Sequence, residues 1–216
     1  GDVNLAGTLT LPDGPGPFPA VILVSGSGPQ DRDESLGSGI VIKPFRLLAD
    51  GLTSAGVAVL RYDDRGTAES TGDFAAATTA DFADDAEAGL NYLLSRDEVD
   101  PDRLGLIGHS EGGMVAAMLG ARNEDLDFII GLAAPGVKGS EIVRLQNELI
   151  LRAQGATEKQ IADQTAYLDE SFANLDNPEL IYELAYESTV AYIEALPEEE
   201  RAALGDVDAY ARMSAE

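Results

Sequence analysis

The residues best suited to do chemistry lie in the segment GLIGHSEGGMVAAMLG, residues 105–120. Residues 108–112, GHSEG, fit the G-x-S-x-G pattern, in which a serine occupies a sharp turn between a strand and a helix. Such a turn exposes the serine Oγ above the sheet and points the helix N-terminus at the reacting oxygen. We therefore predict that Ser110 is a catalytic nucleophile. Gly108 and Gly112 support the turn, because a Cβ at either position would clash.

A serine nucleophile also needs two backbone N–H groups directed at the oxygen that becomes negative. One is expected from Glu111, the residue after Ser110. The other is expected from the loop SGSG, residues 25–28, with Ser27 as the predicted donor. An alternative is that this glycine-rich segment is simply a flexible loop. A phosphate-binding role is disfavoured, because the segment matches neither glycine-rich phosphate-binding motif and acidic residues follow it.

A histidine base is the third requirement, and the chain has one histidine, His109. His109 directly precedes Ser110, so we expect its side chain to point away from the nucleophile and to pack around the turn. It is therefore not predicted to be the base.

The elements that position these residues alternate along the chain. Short β-rich runs cover 5–11, 20–24, 57–62, 103–108 and the start of 127–136, and helical patterns cover 43–56, 78–96 and 112–121. Helical crossovers of this length join parallel strands. The alternation predicts an α/β fold with a mostly parallel, doubly wound sheet and helices on both faces.

Local signals mark the ends of these elements. Thr78 and Asp81 have the spacing of a capping box at a helix start, and Gly56 suits a helix C-terminus. The Gly- and Asp-rich stretch 25–39 is long for a loop in a compact domain, which favours a functional role.

From Gly139 onward the pattern is helical, with breaks near Gly155, 174–179, 196–200 and 205–208. We therefore predict two domains, an α/β core over 1–138 and a helical region over 139–216. The apolar stripes of the second region fit either helices that pack on the sheet or a lid over a site.

Composition excludes several function classes. The formal net charge is −25, which disfavours nucleic acid and anionic membrane surfaces as partners. The chain has no cysteine, so thiolate catalysis and cysteine zinc sites are excluded. No apolar run approaches the roughly 20 residues of a membrane helix.

Five segments together resemble a known family. LVSGSGPQDRDE, GVAVLRYDDRGTAESTGDF, TTADFADDAEAGLNYL, LGLIGHSEGGMVAAMLGA and LAAPGVKGSEI follow the order and spacing of bacterial α/β-hydrolase-fold serine esterases, in the serine aminopeptidase and dienelactone-hydrolase-like branches. The resemblance implies an eight-stranded sheet, a helical lid after the sixth strand at 139–216, and a triad of serine, acid and histidine. It maps the nucleophile onto Ser110 and the oxyanion donors onto Glu111 and Ser27. No metal or cofactor is implied.

The resemblance also carries expectations about the rest of the site. It implies that Asp64 and Arg65 brace the surrounding loops, and the family usually has glycine where this chain has Ala68. It places the acid and the histidine after the lid. We therefore expect a truncated fold, a fragment that lacks the N-terminal strand and the C-terminal acid and histidine. On its own such a fragment should be nearly inactive and prone to self-association.

The function predicted for the intact protein is a serine hydrolase of the carboxylic ester hydrolase type, acting on small acyl esters without membrane insertion. A peptidase or thioesterase on the same fold is the nearest alternative. A non-catalytic binding module on a hydrolase scaffold, and a second chain that supplies the last strands and the base, are also open.

Overall fold

A computed structural model describes residues 3–36, 42–194, 196, 198, 201, 204 and 206–215. The chain divides into two compact units, Gly1–Gly136 and Val137–Glu216. The boundary predicted between residues 138 and 139 lies close to this division.

The first unit is built on a five-stranded sheet of order β1–β3–β2–β4–β5. Its strands are β1 Gly7–Thr10, β2 Phe18–Val24, β3 Ala58–Tyr62, β4 Val99–His109 and β5 Phe128–Leu132. β1 pairs antiparallel with β3, and the other pairings are parallel. This confirms the predicted α/β fold with a mostly parallel sheet. The resemblance implied eight strands, and the described part of this unit contains five.

Three helices flank the sheet: α1 Pro44–Ser54, α2 Thr79–Leu94 and α3 Glu111–Gly120. The capping box predicted at α2 is confirmed, since Thr78 and Asp81 bond each other's backbone N–H. Gly56, predicted to end α1, has a φ of 90° just after the helix. These boundaries are set by local chemistry, which is why the sequence predicts them well.

The core lies on both faces of the sheet because the parallel strands are apolar on both sides. One face packs against α2 and α3, with buried residues that include Ala20, Ile22, Leu106, Leu90 and Leu119. The opposite face packs against α1, with buried residues Val21, Leu23, Val59, Ile107, Phe45 and Ala49. The two layers hold the C-terminal ends of β2 and β4 side by side.

β5 is exposed on both faces and forms one edge of the described sheet. Its large side chains Phe128, Ile129, Ile130 and Leu132 are between 38% and 47% exposed. The strand is nevertheless fixed against β4, because the Phe128 ring fills the space that a Cβ on Gly105 would need.

The described part of the second unit contains four helices: α4 Gly139–Ala153, α5 Glu158–Ala173, α6 Pro178–Glu194 and α7 Val207–Ala215. α5 packs between α4 and α6, and α7 packs on α6. The predicted breaks near Gly155 and at 174–179 are confirmed, while those at 196–200 and 205–208 include residues outside the described set. That these helices form a lid stays a prediction.

Among the described residues, no helix has both the length and the apolarity needed to cross a bilayer.

Candidate active site

Ser110 occupies the turn between β4 and α3. Its backbone has φ 50° and ψ −115°, in the left-handed half of conformational space that residues other than glycine rarely adopt. Two backbone hydrogen bonds hold the turn. The Ser110 N–H donates to Leu132 O at 2.9 Å, and the Gly113 N–H donates to Ser110 O at 2.9 Å. A serine held in such a strained turn is typical of a nucleophile presented at a strand end.

Gly108 and Gly112 lie where the turn is tightest. A Cβ on Gly108 would lie 2.0 Å from Gly112 O, and a Cβ on Gly112 would lie 2.2 Å from Val24 O. Real Cβ atoms essentially never approach backbone oxygens this closely. The crowding expected at both glycines is therefore present, and it lets α3 begin directly against the end of β2.

The loop 25–28 follows β2 and lies against the same turn. A Cβ on Gly26 would lie 3.3 Å from the Ser110 Cβ. The backbone N–H groups of Ser27 and Glu111 have no hydrogen-bond acceptor within the described part of the chain. An oxyanion hole requires two such N–H groups on segments that meet at the nucleophile.

Asp64 anchors this loop from the end of β3. The Ser25 hydroxyl donates to Asp64 Oδ1 at 2.8 Å, and the Gln30 N–H donates to Oδ2 at 2.9 Å. Burial raises the pKa of Asp64 to about 6, and the negative charges of Asp85 and Glu111 add to this effect against the two hydrogen bonds. The two contacts are those of a brace, the role that the resemblance implies for Asp64.

Asp63 and Arg32 fix the next part of the loop. Arg32 donates to Asp63 Oδ1 from its backbone N–H at 2.7 Å and from Nε at 2.9 Å, and its Nη2 lies 2.6 Å from Oδ2. Burial alone would raise the pKa of Asp63, but the bonds from Arg32 outweigh it and hold the pKa below its ordinary value. These bonds argue against a freely flexible loop.

Arg65 and Thr79 connect the site to α2. Arg65 donates to both Asp85 oxygens, at 2.7 Å from Nε and 2.8 Å from Nη2. The Thr79 hydroxyl donates to Glu111 Oε1 at 2.6 Å. The Glu111 side chain is therefore hydrogen-bonded to α2. Arg65 ties the loop after β3 to the same helix.

His109 makes a contact that the sequence does not predict. Its Nδ1 lies 2.6 Å from Oε1 of Glu34, and the same oxygen accepts the Gly26 N–H at 3.0 Å. The ring lies beside the turn, as expected, and its hydrogen-bond partner there is a buried carboxylate. Within the described residues the Ser110 Oγ makes no hydrogen bond with this ring. Glu34 lies 75 positions from His109, and no motif links the two.

Residues 37–39 of the predicted functional loop lie outside the described residues. Within the part of the chain that is described, no group of three or more His, Asp or Glu side chains is placed to hold a metal ion.

Two proteins of similar sequence are a hydrolase and an esterase by name. The chain is 36% identical over 143 residues to the esterase EstD of Thermotoga maritima, which covers 66% of this chain and 33% of that protein. It is 30% identical over 148 residues to the putative hydrolase YtaP of Bacillus subtilis, covering 61% of this chain and 48% of that protein. The chain thus spans about a third to a half of the length of these relatives.

Solved structures support the same fold. The α/β hydrolase GrgF from Penicillium sp. sh18 matches with a TM-score of 0.54 at 22% identity, over 70% of this chain and 49% of that one. Est1E from Butyrivibrio proteoclasticus, solved with ferulic acid bound, matches with a TM-score of 0.53 at 25% identity, over 66% of this chain and 53% of that one.

A family model described as "Serine aminopeptidase, S33" matches residues 37–184, well over half of the chain, and includes the strand, turn and helix around Ser110. The chain has the α/β-hydrolase fold and belongs to this serine aminopeptidase S33 family.

Proposed function

We propose that this chain carries the nucleophile and the oxyanion hole of a serine hydrolase that cleaves carboxylic esters of small molecules. The observation that carries the proposal is the strained turn, with Ser110 at φ 50° between β4 and α3. The unbonded N–H groups of Ser27 and Glu111 within the described residues support it further.

In this reaction the Ser110 Oγ attacks the acyl carbon, and the carbonyl oxygen becomes negative. The N–H groups of Ser27 and Glu111 donate to that oxygen, and the N-terminal dipole of α3 adds to its stabilisation. Collapse of the intermediate expels the alcohol and leaves the acyl group on Oγ. Water then attacks the acyl-enzyme, which releases the acid and restores the serine.

The proton on Ser110 Oγ must pass to a base and then to the departing alcohol. His109 is the one histidine of this sequence, and its Nδ1 is engaged by Glu34 at 2.6 Å. Within the described residues no hydrogen bond joins the Ser110 Oγ to this ring, and for that reason we do not assign His109 as the base of Ser110.

The ester as substrate class is supported by two similar proteins. EstD carries the name esterase, and the Est1E structure holds ferulic acid, a carboxylic acid of the kind that ester cleavage releases. Acidic residues outnumber basic ones by 39 to 14 in this chain, which disfavours anionic substrates.

A fluorophosphonate probe tests the proposal, because it forms a covalent bond with an activated serine. The protein expressed from its natural gene should be labelled on Ser110, as located by peptide mass spectrometry, and Ser110→Ala should abolish labelling. Ser27→Ala is the matched control, since it removes a nearby hydroxyl and keeps the backbone N–H. Labelling that survives Ser110→Ala would overturn the nucleophile assignment. No labelling of the wild-type protein would favour a non-catalytic binding module.

The family description names an aminopeptidase, so the leaving group of the substrate (an alcohol, an amine or a thiol) must be tested separately. Hydrolysis rates on matched ester, amide and thioester substrates with the same acyl group would separate the three classes. We expect the ester to be cleaved fastest relative to its uncatalysed rate. A higher enhancement on the amide would assign a peptidase.

A further inference from the structure

Glu34 is a buried acidic residue in a strained backbone conformation. It is 4% exposed, and its φ of 51° lies in the left-handed region. The conformation is imposed by a tight turn, in which the Glu34 N–H donates to Asp31 O at 2.9 Å and the Asp31 carboxylate accepts the N–H of Ser35 at 3.0 Å. A buried carboxylate and a strained backbone both oppose folding, so both persist only where surrounding contacts hold them.

One oxygen of Glu34 joins the two segments that meet at the nucleophile. Oε1 accepts the Gly26 N–H at 3.0 Å and lies 2.6 Å from His109 Nδ1. Gly26 adjoins Ser27, and His109 adjoins Ser110. Gly26 packs closely against both residues, because a Cβ on Gly26 would lie 3.2 Å from His109 Nδ1 and 3.3 Å from Ser110 Cβ.

We propose that Glu34 is a positioning residue that fastens the oxyanion loop to the nucleophile turn through Gly26 and His109. This inference rests on the proposed function of Ser110. The loop 25–28 has no regular secondary structure to hold it, so side chains must set its distance from Ser110. Asp64 holds Ser25 on the side of β3, and Glu34 holds the next residue on the side of the turn.

The pairing of His109 with Glu34 also resembles the histidine and acid of a catalytic triad, but the chemistry differs. In a positioning role, Glu34 needs only an oxygen that accepts two N–H groups. In a triad role, its negative charge would stabilise a protonated imidazole during the reaction. A glutamine side chain at this position would keep the oxygen and remove the charge, so Glu34→Gln separates the two roles.

The informative loss-of-function variant is Glu34→Gly, because it removes the carboxylate and relaxes the backbone at the same position. In the natural protein we expect kcat for ester hydrolysis to fall about 10- to 100-fold, with KM changed by less than about 3-fold, since only transition-state binding is disturbed. Glu34→Gln should keep kcat within about 3-fold of wild type. Ala68→Gly is the matched control, because it relaxes a φ of 48° in an exposed loop and should leave kcat unchanged.

Hydrogen exchange supplies a second measurement that does not depend on turnover. The Gly26 amide should exchange at least about 10-fold faster in Glu34→Gly than in wild type, and at the wild-type rate in Ala68→Gly. The single histidine gives one set of ring signals, in which the Nδ1 proton should be observed in wild type and lost in Glu34→Gly.

Failure of the positioning role of Glu34 can be distinguished from failure of the function proposed for Ser110. Turnover that survives Ser110→Ala would contradict the function, and the Gly26 exchange rate would still test Glu34. If Glu34→Gly leaves both kcat and Gly26 exchange at wild-type values, the positioning role is overturned. If Glu34→Gln loses as much activity as Glu34→Gly, the charge is essential and the positioning role is also overturned.

Discussion

Replacing Asp64 with asparagine tests how strongly burial acts on the carboxylate that holds the loop after β2. The pKa of this group is raised from 3.8 to about 6, first by burial and then by the charges of Asp85 and Glu111. The folded chain therefore binds the proton more tightly than the unfolded chain does between these two values. By linkage, the free energy of unfolding falls as the pH rises through this window. A difference of about 2 pKa units corresponds to about 3 kcal/mol, a cost that is fully present above about pH 6.

Asparagine has nearly the shape of aspartate and no charge to bury. Its Oδ1 can accept the Gln30 N–H, and its amide can donate to the Ser25 hydroxyl, which rotates to accept. Urea unfolding followed by circular dichroism, at about pH 4 and about pH 7.5, gives the free energy of unfolding for each protein. The stability of Asp64→Asn relative to wild type should increase by about 2 kcal/mol between these conditions, because a small part of the cost is already present at about pH 4.

The neighbouring carboxylate provides a control of opposite sign. The pKa of Asp63 is lowered because the bonds from Arg32 outweigh burial, so its charge stabilises the fold above the unfolded pKa and this contribution is lost at lower pH. Asp63→Asn should therefore be most destabilised relative to wild type at the higher pH. If both variants show the same pH trend relative to wild type, or if Asp64→Asn shows none, the reasoning about Asp64 is refuted.

Two further predictions concern backbone positions. Gly112→Ala places a Cβ 2.2 Å from Val24 O and should lower the free energy of unfolding by about 1–3 kcal/mol, together with the rate of probe labelling at Ser110. Gly120→Ala at the end of the same helix meets only ordinary contacts, with Ile129 at 3.5 Å, so thermal unfolding should show it unchanged or more stable. Ala68→Gly relieves a left-handed φ of 48° and should raise the free energy of unfolding by up to about 1 kcal/mol in a urea titration; a loss of stability would contradict this account.

The features that the sequence predicts well depend on neighbours in the chain. The run AVILV at 20–24 is apolar on both faces, and β2 is buried there because helices cover both sides of the sheet. Thr78 and Asp81 are three residues apart, and the capping box forms between them. The turn at Ser110 is equally local, since the two glycines that it requires are within two positions of the serine.

The features that the sequence does not predict depend on residues that are distant in the chain. The pairs Arg32–Asp63 and Glu34–His109 are 31 and 75 positions apart, and each forms only once β2, β3 and β4 lie side by side. No periodicity or motif encodes such a contact. β4 also begins at Val99, earlier than predicted, because Val99 pairs with Phe18 across an irregularity that the residue pattern does not reveal.

Three buried carboxylates hold the loop that follows β2, which under the proposed function would face a transition state of negative charge. Asp63, Asp64 and Glu34 are all buried carboxylates, and each could repel a developing oxyanion. Each instead accepts backbone N–H groups of the loop: from Arg32, Gln30 and Gly26 respectively. Asp63 is also neutralised by a guanidinium, and Asp64 is held partly protonated near pH 6 by its burial. Backbone N–H groups that face a carboxylate cannot serve the substrate, so the anchors fix the loop and leave N–H groups that have no acceptor within the described residues, the Ser27 N–H among them, for the oxyanion hole that we propose. Removing one of these carboxylates, as in Glu34→Gly, should therefore loosen the loop and lower the rate of acyl transfer.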